Sequence, residues 1–444
     1  MLSYARGINA LAGALLVPVL YAIVRRVWRP EPGIVLTAAL IGAGLPALWL
    51  TATMAWTERL LALLVAASVL ALLHLSERVT VGRLSAVVAV GAAMFATHPR
   101  MGVAAVVVIA IGAWIVVRQH RGLTAAALLV GAALLALIEV ARRAVASAAF
   151  ASSGSYNVAD LASRRGVDEI PTMIQHGVGT LAYLVLAGSG VAVLGLVWWW
   201  RWRPVGLVVP ALLASVVLIA GWFLTGVNRA DAWLHGRYVE VTSPLLVAAG
   251  VVALGRIGWR TTAPILIASP IVAGIVAAWA GPGNNWNTSR SPVMMFGAEV
   301  GGAPFGNEVF EPGAAASVAL VVGLVMWGAW RLRGAWLMAS MMAVTVAIAV
   351  LSGLEGLDQL HDTAIAGQVA TALIDIEPID ELVVEIDGVA PNLVAALVWE
   401  VGLDTTSTEF TANASHLLLP TDATPPEAAT LVADFNGGSL WILD

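Results

Sequence analysis

The 444-residue sequence contains neither cysteine nor lysine, and charged residues make up only 11% of it. The absence of cysteine excludes disulfides, thiolate metal sites and cysteine nucleophiles. The absence of lysine makes all 23 basic residues arginine. The scarcity of charge, together with 59% hydrophobic residues, excludes an ordinary soluble domain and predicts an α-helical polytopic membrane protein.

Several common catalytic motifs are also missing. No Gly-rich phosphate loop follows a strand, and neither G-x-S-x-G nor H-E-x-x-H occurs. The seven histidines are scattered and form no paired metal motif. These absences argue against a P-loop NTPase, an α/β-hydrolase and a zincin-type metalloprotease.

Apolar runs long enough to cross a bilayer recur along the chain. They predict about twelve spans, at residues 7–23, 33–52, 58–75, 84–97, 101–117, 123–141, 178–199, 205–225, 241–256, 262–281, 315–330 and 335–352. The short pair around Thr97 to Arg100 leaves a re-entrant element as an alternative.

Arginine is concentrated in alternate loops. Thirteen arginines fall in short loops that contain only two acids, Glu31 and Glu77: Arg25, Arg26, Arg29, Arg78, Arg83, Arg118, Arg121, Arg201, Arg203, Arg256, Arg260, Arg331 and Arg333. By the positive-inside rule these loops are cytoplasmic. We therefore expect a multi-pass plasma-membrane protein with both termini extracytoplasmic and three larger outer loops, at 142–177, 226–240 and 281–313.

The composition changes after residue 353, so we divide the chain into a transmembrane domain, 1–353, and a tail, 354–444. The tail has 16 acidic residues and no arginine, which argues against binding nucleic acid. Helical patterns at 364–374 and 389–401 alternate with strand patterns at 381–388 and 416–422, and a helix start at Pro425 precedes the terminal SLWILD. This alternation predicts a small extracytoplasmic α/β domain.

Ionisable and aromatic residues cluster between two apolar runs, in NRADAWLHGRYVEVTSP (228–244). The cluster holds Arg229, Asp231, His235, Arg237, Tyr238 and Glu240. Charges are costly near a bilayer, so their concentration at the mouth of two helices favours a site for a polar ligand. The alternative is an ordinary solvated loop in which Arg237 and Glu240 extend to the lipid headgroups.

Further candidates stand at other predicted outer boundaries. Glu58 begins a helix, where its carboxylate must be solvated, used, or paired with Arg59 or Arg100. His98 precedes Arg100, although a lone boundary histidine is more often structural. Glu139 lies three and four residues before two arginines and should pair with them locally.

Three stretches resemble the membrane core of the GT-C superfamily of polytopic glycosyltransferases. LLVPVLYAIVRR is followed by ALWLTATMAWTERLLALLVAASVLALL, in which Glu58 matches the family's glutamate. THPR (97–100) is similar, in rearranged form, to a turn that opens another membrane helix. HGRYVEVTSPLL (235–246) is similar to the family's G-R-Y-x-x-x-x-x-P segment, and the small outer tail is typical of actinobacterial-like members.

This resemblance implies transfer of a hexose or pentose from a polyprenyl-phosphate donor to an extracytoplasmic glycan, lipid or protein acceptor in the cell envelope. Arginine can hold phosphate oxygens bidentately, so Arg237 is the leading phosphate ligand, with Arg229 and Arg100 next. Tyr238, His235 and His98 complete the predicted substrate-binding set. The predicted catalytic acids are Glu58, Asp231 and Glu240, each a base or a ligand of a divalent cation such as Mg or Mn; no metal-ligand set is assigned.

One departure from the family concerns its first outer loop, which carries a catalytic acid. Only MLSYAR precedes the first span here, and it contains no acid. The resemblance therefore implies a truncated start, a substitute residue, or loss of transfer activity. Two other classes stay open: a transporter or lipid flippase, which would favour internal repeats and discontinuous helices, and a non-catalytic scaffold for envelope assembly.

Overall fold

A computed structural model of the protein describes residues 2–48, 57–117, 120–149, 169–200, 205–225, 230–280 and 310–333, and five strands between residues 382 and 443. The chain divides into two compact units. The larger combines Arg6–Ala144 with Tyr156–Ser352, and the smaller combines Met1–Ala5 and Val145–Ser155 with Gly353–Asp444.

Helices make up the described part of the larger unit. They are α1 (Leu2–Trp28), α2 (Pro32–Ala43), α3 (Glu58–Glu77), α4 (Val81–Thr97), α5 (Gly102–Val117), α6 (Arg121–Ala149), α7 (Ile170–Ala187), α8 (Val191–Trp200), α9 (Val208–Leu224), α10 (Ser243–Arg256), α11 (Trp259–Ala280) and α12 (Pro312–Arg333). Short 3-10 turns lie at Pro99–Met101, Val205–Leu207, Ala230–Leu234 and Gly236–Tyr238.

Seven helical segments among the described residues are long and apolar enough to cross a membrane: Gly7–Trp28, Glu58–Glu77, Pro99–Val117, Arg121–Ala144, Ile170–Ala187, Trp259–Trp279 and Pro312–Arg331. A bent pair, Ala232–Tyr238 with Ser243–Arg256, would make an eighth. The chain is therefore a multi-pass membrane protein. The count of twelve stays a prediction, because α2, α4, α8 and α9 are shorter and residues 335–352 lie outside the described part.

The stretch 178–199, predicted as one span, is divided into α7 and α8. Between them Ser189 and Gly190 have φ angles of 51° and 72°, in the left-handed region that an α-helix cannot contain. Glycine adopts this region without a steric penalty. The Gly-Ser-Gly sequence at 188–190 thus ends one helix and starts another inside an otherwise apolar run.

Helix α10 lies at the centre of the bundle. Every residue from Ser243 to Leu254 is buried, as expected for a helix that is apolar on all sides. Its backbone directly touches that of α8: a Cβ on Gly195 would lie 1.8 Å from the carbonyl oxygen of Leu246, and one on Gly250 would lie 2.1 Å from that of Val191. Small residues permit this approach, which fixes the start of α10 within the bundle.

Two of the loops predicted to be cytoplasmic meet in the structure. The Arg26 guanidinium at the end of α1 forms a two-pronged pair with the Glu77 carboxylate at the end of α3, with Nη2 and Oε2 2.6 Å apart. The ends of α1 and α3 therefore lie on the same side of the bundle. The orientation of that side relative to the cytoplasm stays a prediction.

The smaller unit contains a mixed sheet of β1 (Leu382–Val384), β2 (Thr406–Ser407), β3 (His416–Leu419), β4 (Ala429–Phe435) and β5 (Gly438–Leu443). Their order is β2-β1-β3-β5-β4; β1 pairs in parallel with β2 and β3, and β5 pairs antiparallel with β3 and β4. Strands β1 and β3 lie in the two stretches predicted as strands, 381–388 and 416–422. Strand β5 overlaps the terminal SLWILD, the last segment of the predicted alternation of helices and strands.

One prediction for the tail is wrong. A helix continuing from Pro425 would include Ala429–Phe435, which is strand β4 instead. The reason is tertiary pairing: Phe435 lies opposite Gly438, so that Asn436 and Gly437 alone join β4 to β5, and Asn-Gly strongly favours a hairpin. The helices predicted at 364–374 and 389–401 lie outside the described residues, so the α/β domain and its boundary stay predictions.

Candidate functional site

The segment before α10 turns sharply. Two 3-10 turns, Ala230–Leu234 and Gly236–Tyr238, precede the helix, and the segment Ala232–Tyr238 meets it at 83°. Pro244 lies in the first helical positions of α10, where its fixed φ suits a helix start and its missing N–H costs nothing. This bend carries Arg237 and Tyr238 across the end of the buried helix.

A small cavity opens beside this bend. Its polar lining comes from three stretches that are distant in the sequence: Glu58, His98 with Arg100, and Arg237 with Tyr238. Its apolar lining is formed by Leu61, Met101, Val216, Ile219 and Val241. Five of the predicted site residues therefore share one cavity, although their roles stay predictions.

Glu58 is the most deeply buried of these polar residues, with 1% of its surface exposed. Its Oε1 accepts a hydrogen bond from Nε of Arg237 and lies 3.9 Å from Nη2 of Arg100. Its Oε2 is buried and has no hydrogen-bond partner among the described residues. One carboxylate oxygen is thus shared between two guanidinium groups, and the other is buried without a hydrogen bond from the described residues.

Arg100 lies between an aromatic ring and an imidazole. Its guanidinium carbon is 4.2 Å from the centre of the Tyr238 ring, a distance typical of a cation–π contact. Its Nη2 lies 2.8 Å from Nε2 of His98, and its backbone N–H donates to Nδ1 of His98 at 3.2 Å. The Arg100 guanidinium thus lies between Tyr238 and His98 in the cavity lining.

His98 is neutral in this arrangement. Its Nδ1 caps the 3-10 turn Pro99–Met101 by accepting the backbone N–H of Arg100, so that nitrogen carries no proton. Burial, followed by the positive charges of Arg100, Arg237 and Arg142, lowers the pKa of His98 from 6.5 to about 3. His98 therefore positions Arg100 without adding charge. His235 is buried on the other side of Tyr238, with its ring centre 4.9 Å from that of the tyrosine.

Glu240 lies in a second cavity. This small cavity is lined by Tyr183, Glu240 and Ser243 together with residues 45–48, Ala187 and Gly188. The Tyr183 hydroxyl donates to Oε1 of Glu240. The structure therefore separates two predicted catalytic acids, with Glu58 and Glu240 in neighbouring cavities beside the same bend.

Tyr183 is a functional candidate that the sequence analysis missed. It is fully buried in α7, and a Cβ on Gly236 would lie only 1.9 Å from its Cζ. Tyr183 thus contacts the bend on both sides of Arg237, through Gly236 and through Glu240. One signal was present in the sequence: a tyrosine inside an apolar helix needs a partner for its hydroxyl.

The remaining predicted site residues are Glu139, Arg229 and Asp231, and a divalent cation was also predicted. Glu139 pairs with Arg142 at 2.8 Å and with Arg143 at 2.7 Å, as its spacing predicted. Arg229 and the side chain of Asp231 lie outside the described part of the chain. Within that part no three His, Asp or Glu side chains come together as a metal site, and Glu58 already faces two cations. The divalent cation stays a prediction, because the side chain of Asp231, one of its candidate ligands, lies outside that part.

Comparisons with known proteins give one structural match to report. No protein-family model and no curated protein matches the sequence. The structure is similar to that of ArnT from Cupriavidus metallidurans in the apo state, a glycosyltransferase of the GT-C family, with a TM-score of 0.53 at 15% identity. The similarity covers 98% of this chain and 83% of ArnT.

The fold is GT-C-like. This confirms the predicted architecture at the level of the fold. At 15% identity the GT-C-like fold alone does not determine an activity, so donor, acceptor and chemistry have to be argued from the two cavities and their residues.

Proposed function

We propose that the protein is a membrane glycosyltransferase of the GT-C type that takes a sugar from a polyprenyl-phosphate donor. One observation carries the proposal: a buried carboxylate and two guanidinium groups line a single cavity at one end of a GT-C-like bundle. Charged groups inside a membrane protein are costly and commonly mark a ligand pathway or site. An anionic group at a bilayer surface is the ligand that two arginines suit best.

In this proposal Arg237 and Arg100 hold the donor phosphate. A guanidinium is planar and presents paired N–H donors that match two phosphate oxygens. Arg100 is pre-positioned by Tyr238 and His98, and Arg237 by Glu58. Because both side chains are already oriented, little conformational entropy is lost when the phosphate binds.

Glu58 and Tyr238 supply the remaining polar groups of the proposed site. Glu58, the carboxylate of the cavity lining, is the group that would accept the proton from the attacking hydroxyl of an acceptor. Tyr238 lines the same cavity. Asp231, Glu240, Arg229 and His235 stay secondary candidates, and the acceptor is an extracytoplasmic glycan, lipid or protein, as the arginine distribution suggests.

Lipid co-purification tests the donor site. The protein would be purified from membranes in mild detergent, and the bound lipids identified by mass spectrometry. We expect polyprenyl phosphates with the wild type, almost none with Arg237→Ala, and weak recovery with Arg237→Lys, because an ammonium cannot form the two-pronged contact. The loss in binding should be on the order of 2–5 kcal/mol for a desolvated charge pair.

Arg143→Ala is the matched control. Arg143 is an arginine near Glu139 whose side chain is 67% exposed, so its loss should leave lipid recovery unchanged. If folded Arg237→Ala protein retains as much polyprenyl phosphate as the control, the arginine has no role in binding and the proposal is wrong.

One observation favours a second function, that of a transporter or lipid flippase. The 83° bend between Ala232–Tyr238 and Ser243–Arg256 is a discontinuous element next to charged groups, as transporters often have. Reconstitution in proteoliposomes separates the two functions. Movement of a fluorescent polyprenyl phosphate between leaflets, with no sugar transfer, would favour the flippase; transfer without movement would favour the enzyme.

A further inference from the structure

The oxygen Oε1 of Glu58 already occupies part of the space around the two guanidinium groups. It accepts from Nε of Arg237 and is 3.9 Å from Nη2 of Arg100. Any phosphate that binds these arginines must therefore come within a few ångströms of a carboxylate. This carboxylate both orients the cations and repels the anion that they attract.

The repulsion is strong because Glu58 is buried. Only 2% of its side chain is exposed, against 14% for Arg100 and 20% for Arg237. At an effective dielectric constant near 20, two like unit charges about 6 Å apart repel strongly enough to weaken binding roughly a hundred-fold. Each further negative charge on the ligand meets this repulsion again, so the effect of Glu58 grows with ligand charge.

We propose that Glu58 tunes the charge selectivity of the cavity, shifting it toward a singly charged phosphodiester and away from a doubly charged phosphomonoester or a diphosphate. The inference rests on the proposed function, because it takes the cavity as the donor phosphate site. It does not depend on what other groups contact Arg237. It requires only that Glu58 adds one negative charge beside the bound phosphate.

The transfer reaction changes the charge of the bound lipid, so selection by charge distinguishes the donor from the product. A polyprenyl-phosphate sugar is a phosphodiester with one negative charge. Transfer breaks the bond between the anomeric carbon and the phosphate oxygen and forms a bond from that carbon to the acceptor oxygen, while the acceptor proton leaves to Glu58 or to solvent. The polyprenyl phosphate that remains is a monoester with a second pKa near 6, so at neutral pH it has gained a charge. Once the acceptor proton has passed on to solvent, the Glu58 carboxylate again lies beside the phosphate, where it disfavours this product and promotes its release.

Three isoprenoid probes that share one tail but differ in charge test the proposal: farnesyl methyl phosphate, farnesyl phosphate and farnesyl diphosphate. Their binding to the purified full-length protein in nanodiscs would be measured by calorimetry at pH 8. Wild-type affinity should rise less steeply with probe charge than the affinity of a variant that lacks the Glu58 carboxylate. Glu58→Gln keeps an oxygen that can accept from Arg237 but removes the charge. It should shift the affinity ratio of diphosphate to diester by roughly ten- to a hundred-fold toward the diphosphate.

Glu139→Gln is the matched control, since it removes a carboxylate that pairs with arginines outside the cavity lining. It should leave the ratio within about two-fold of wild type. If Glu58→Gln does not fold, Arg100→Gln and the double variant Glu58→Gln/Arg100→Gln replace it. Arg100→Gln alone should move the ratio toward the diester, and the double variant should restore it.

The outcomes separate the inference from the function on which it rests. If no probe binds the wild type, the cavity is not a phosphate site and the proposed function is wrong. If all three bind but Glu58→Gln or the double variant leaves the ratio unchanged, the cavity binds phosphate and the charge selection is wrong.

Discussion

The Nε–H of Arg237 donates to the Oε1 of Glu58, a residue 179 positions earlier in the sequence. The contact ties the bend before α10 to the first turn of α3. Both side chains are shielded from solvent, with 20% and 2% of their surfaces exposed. Breaking such a pair leaves a charge in a poorly solvated place, so the contact contributes to the fold as well as to the proposed site.

Removing the Glu58 carboxylate should therefore destabilise the protein. We expect Glu58→Ala to lower the free energy of unfolding by about 3 kcal/mol, because Arg237 and Arg100 lose their carboxylate. Glu58→Gln should cost less, since its amide oxygen can still accept from Arg237. Thermal unfolding in detergent would be compared at one heating rate, because membrane proteins often unfold irreversibly. If Glu58→Ala and Arg237→Ala have independent effects that simply add, the two residues are not coupled.

A methyl group at position 236 should disrupt the bend. The added Cβ of Gly236→Ala would lie 1.9 Å from Cζ of the fully buried Tyr183. Overpacking of this kind typically costs about 1–3 kcal/mol, and it should also displace Arg237 and weaken phosphate binding. The control is Gly122→Ala in α6, where a Cβ meets nothing within 4 Å. Equal melting temperatures for Gly236→Ala and Gly122→Ala would contradict the close packing of Tyr183 on Gly236.

Sequence reasoning reached the class of protein and its GT-C-like fold because both depend on features that are local and repeated. Apolar runs, short arginine-rich loops and three motif stretches all indicate the same architecture. Candidate site residues could also be identified from the sequence, because a charged residue at a predicted helix boundary is conspicuous among apolar neighbours. This is why Glu58, Arg100 and Arg237 could be selected before their contacts were known.

The contact of Glu58 with Arg237 could not be predicted. The sequence offered Arg59 or Arg100 as a partner for Glu58, and Arg100 does approach it, at 3.9 Å. Arg59 does not, because adjacent residues on a helix do not face each other. Arg59 instead lies against α1, where a Cβ on Gly13 would be 2.3 Å from its Nε. Arg237 approaches Glu58 only because α10 is fixed in the bundle by its close contact with α8. Tyr183 was missed for the same reason, since its partners Gly236 and Glu240 are brought to it by tertiary packing.

The state of His98 predicts how stability depends on pH. In the folded protein its pKa is lowered from 6.5 to about 3, so between these values the unfolded chain binds more protons than the native state. The free energy of unfolding should therefore fall as pH decreases below 6.5, by on the order of 1 kcal/mol between pH 6.5 and pH 5, and should not change through this group above 6.5.

His98→Asn isolates this contribution. Asparagine can still cap the turn at Pro99–Met101 by accepting the Arg100 N–H, but it does not titrate. The difference in melting temperature between wild type and variant should shrink or reverse on going from pH 7.5 to pH 5. His120→Asn, at an exposed histidine before α6, controls for the loss of a histidine elsewhere. A constant difference at both pH values would show that His98 is not held neutral.

The final prediction concerns which side of the membrane carries the proposed site. The native chain has no cysteine, so single cysteines can be introduced without background reaction. An impermeant thiol reagent applied to intact cells should label Ser153→Cys, Asn285→Cys and Thr411→Cys, because the arginine distribution places these segments outside. It should label Gly122→Cys and Gly334→Cys only after the cells are opened. Gly122 directly follows Arg121, at the end of α6 opposite Glu139 and Arg142, so it reports on the arginine-rich side. Labelling of Gly122→Cys but not Ser153→Cys in intact cells would invert the orientation, and transfer to an extracytoplasmic acceptor would then be impossible at this cavity.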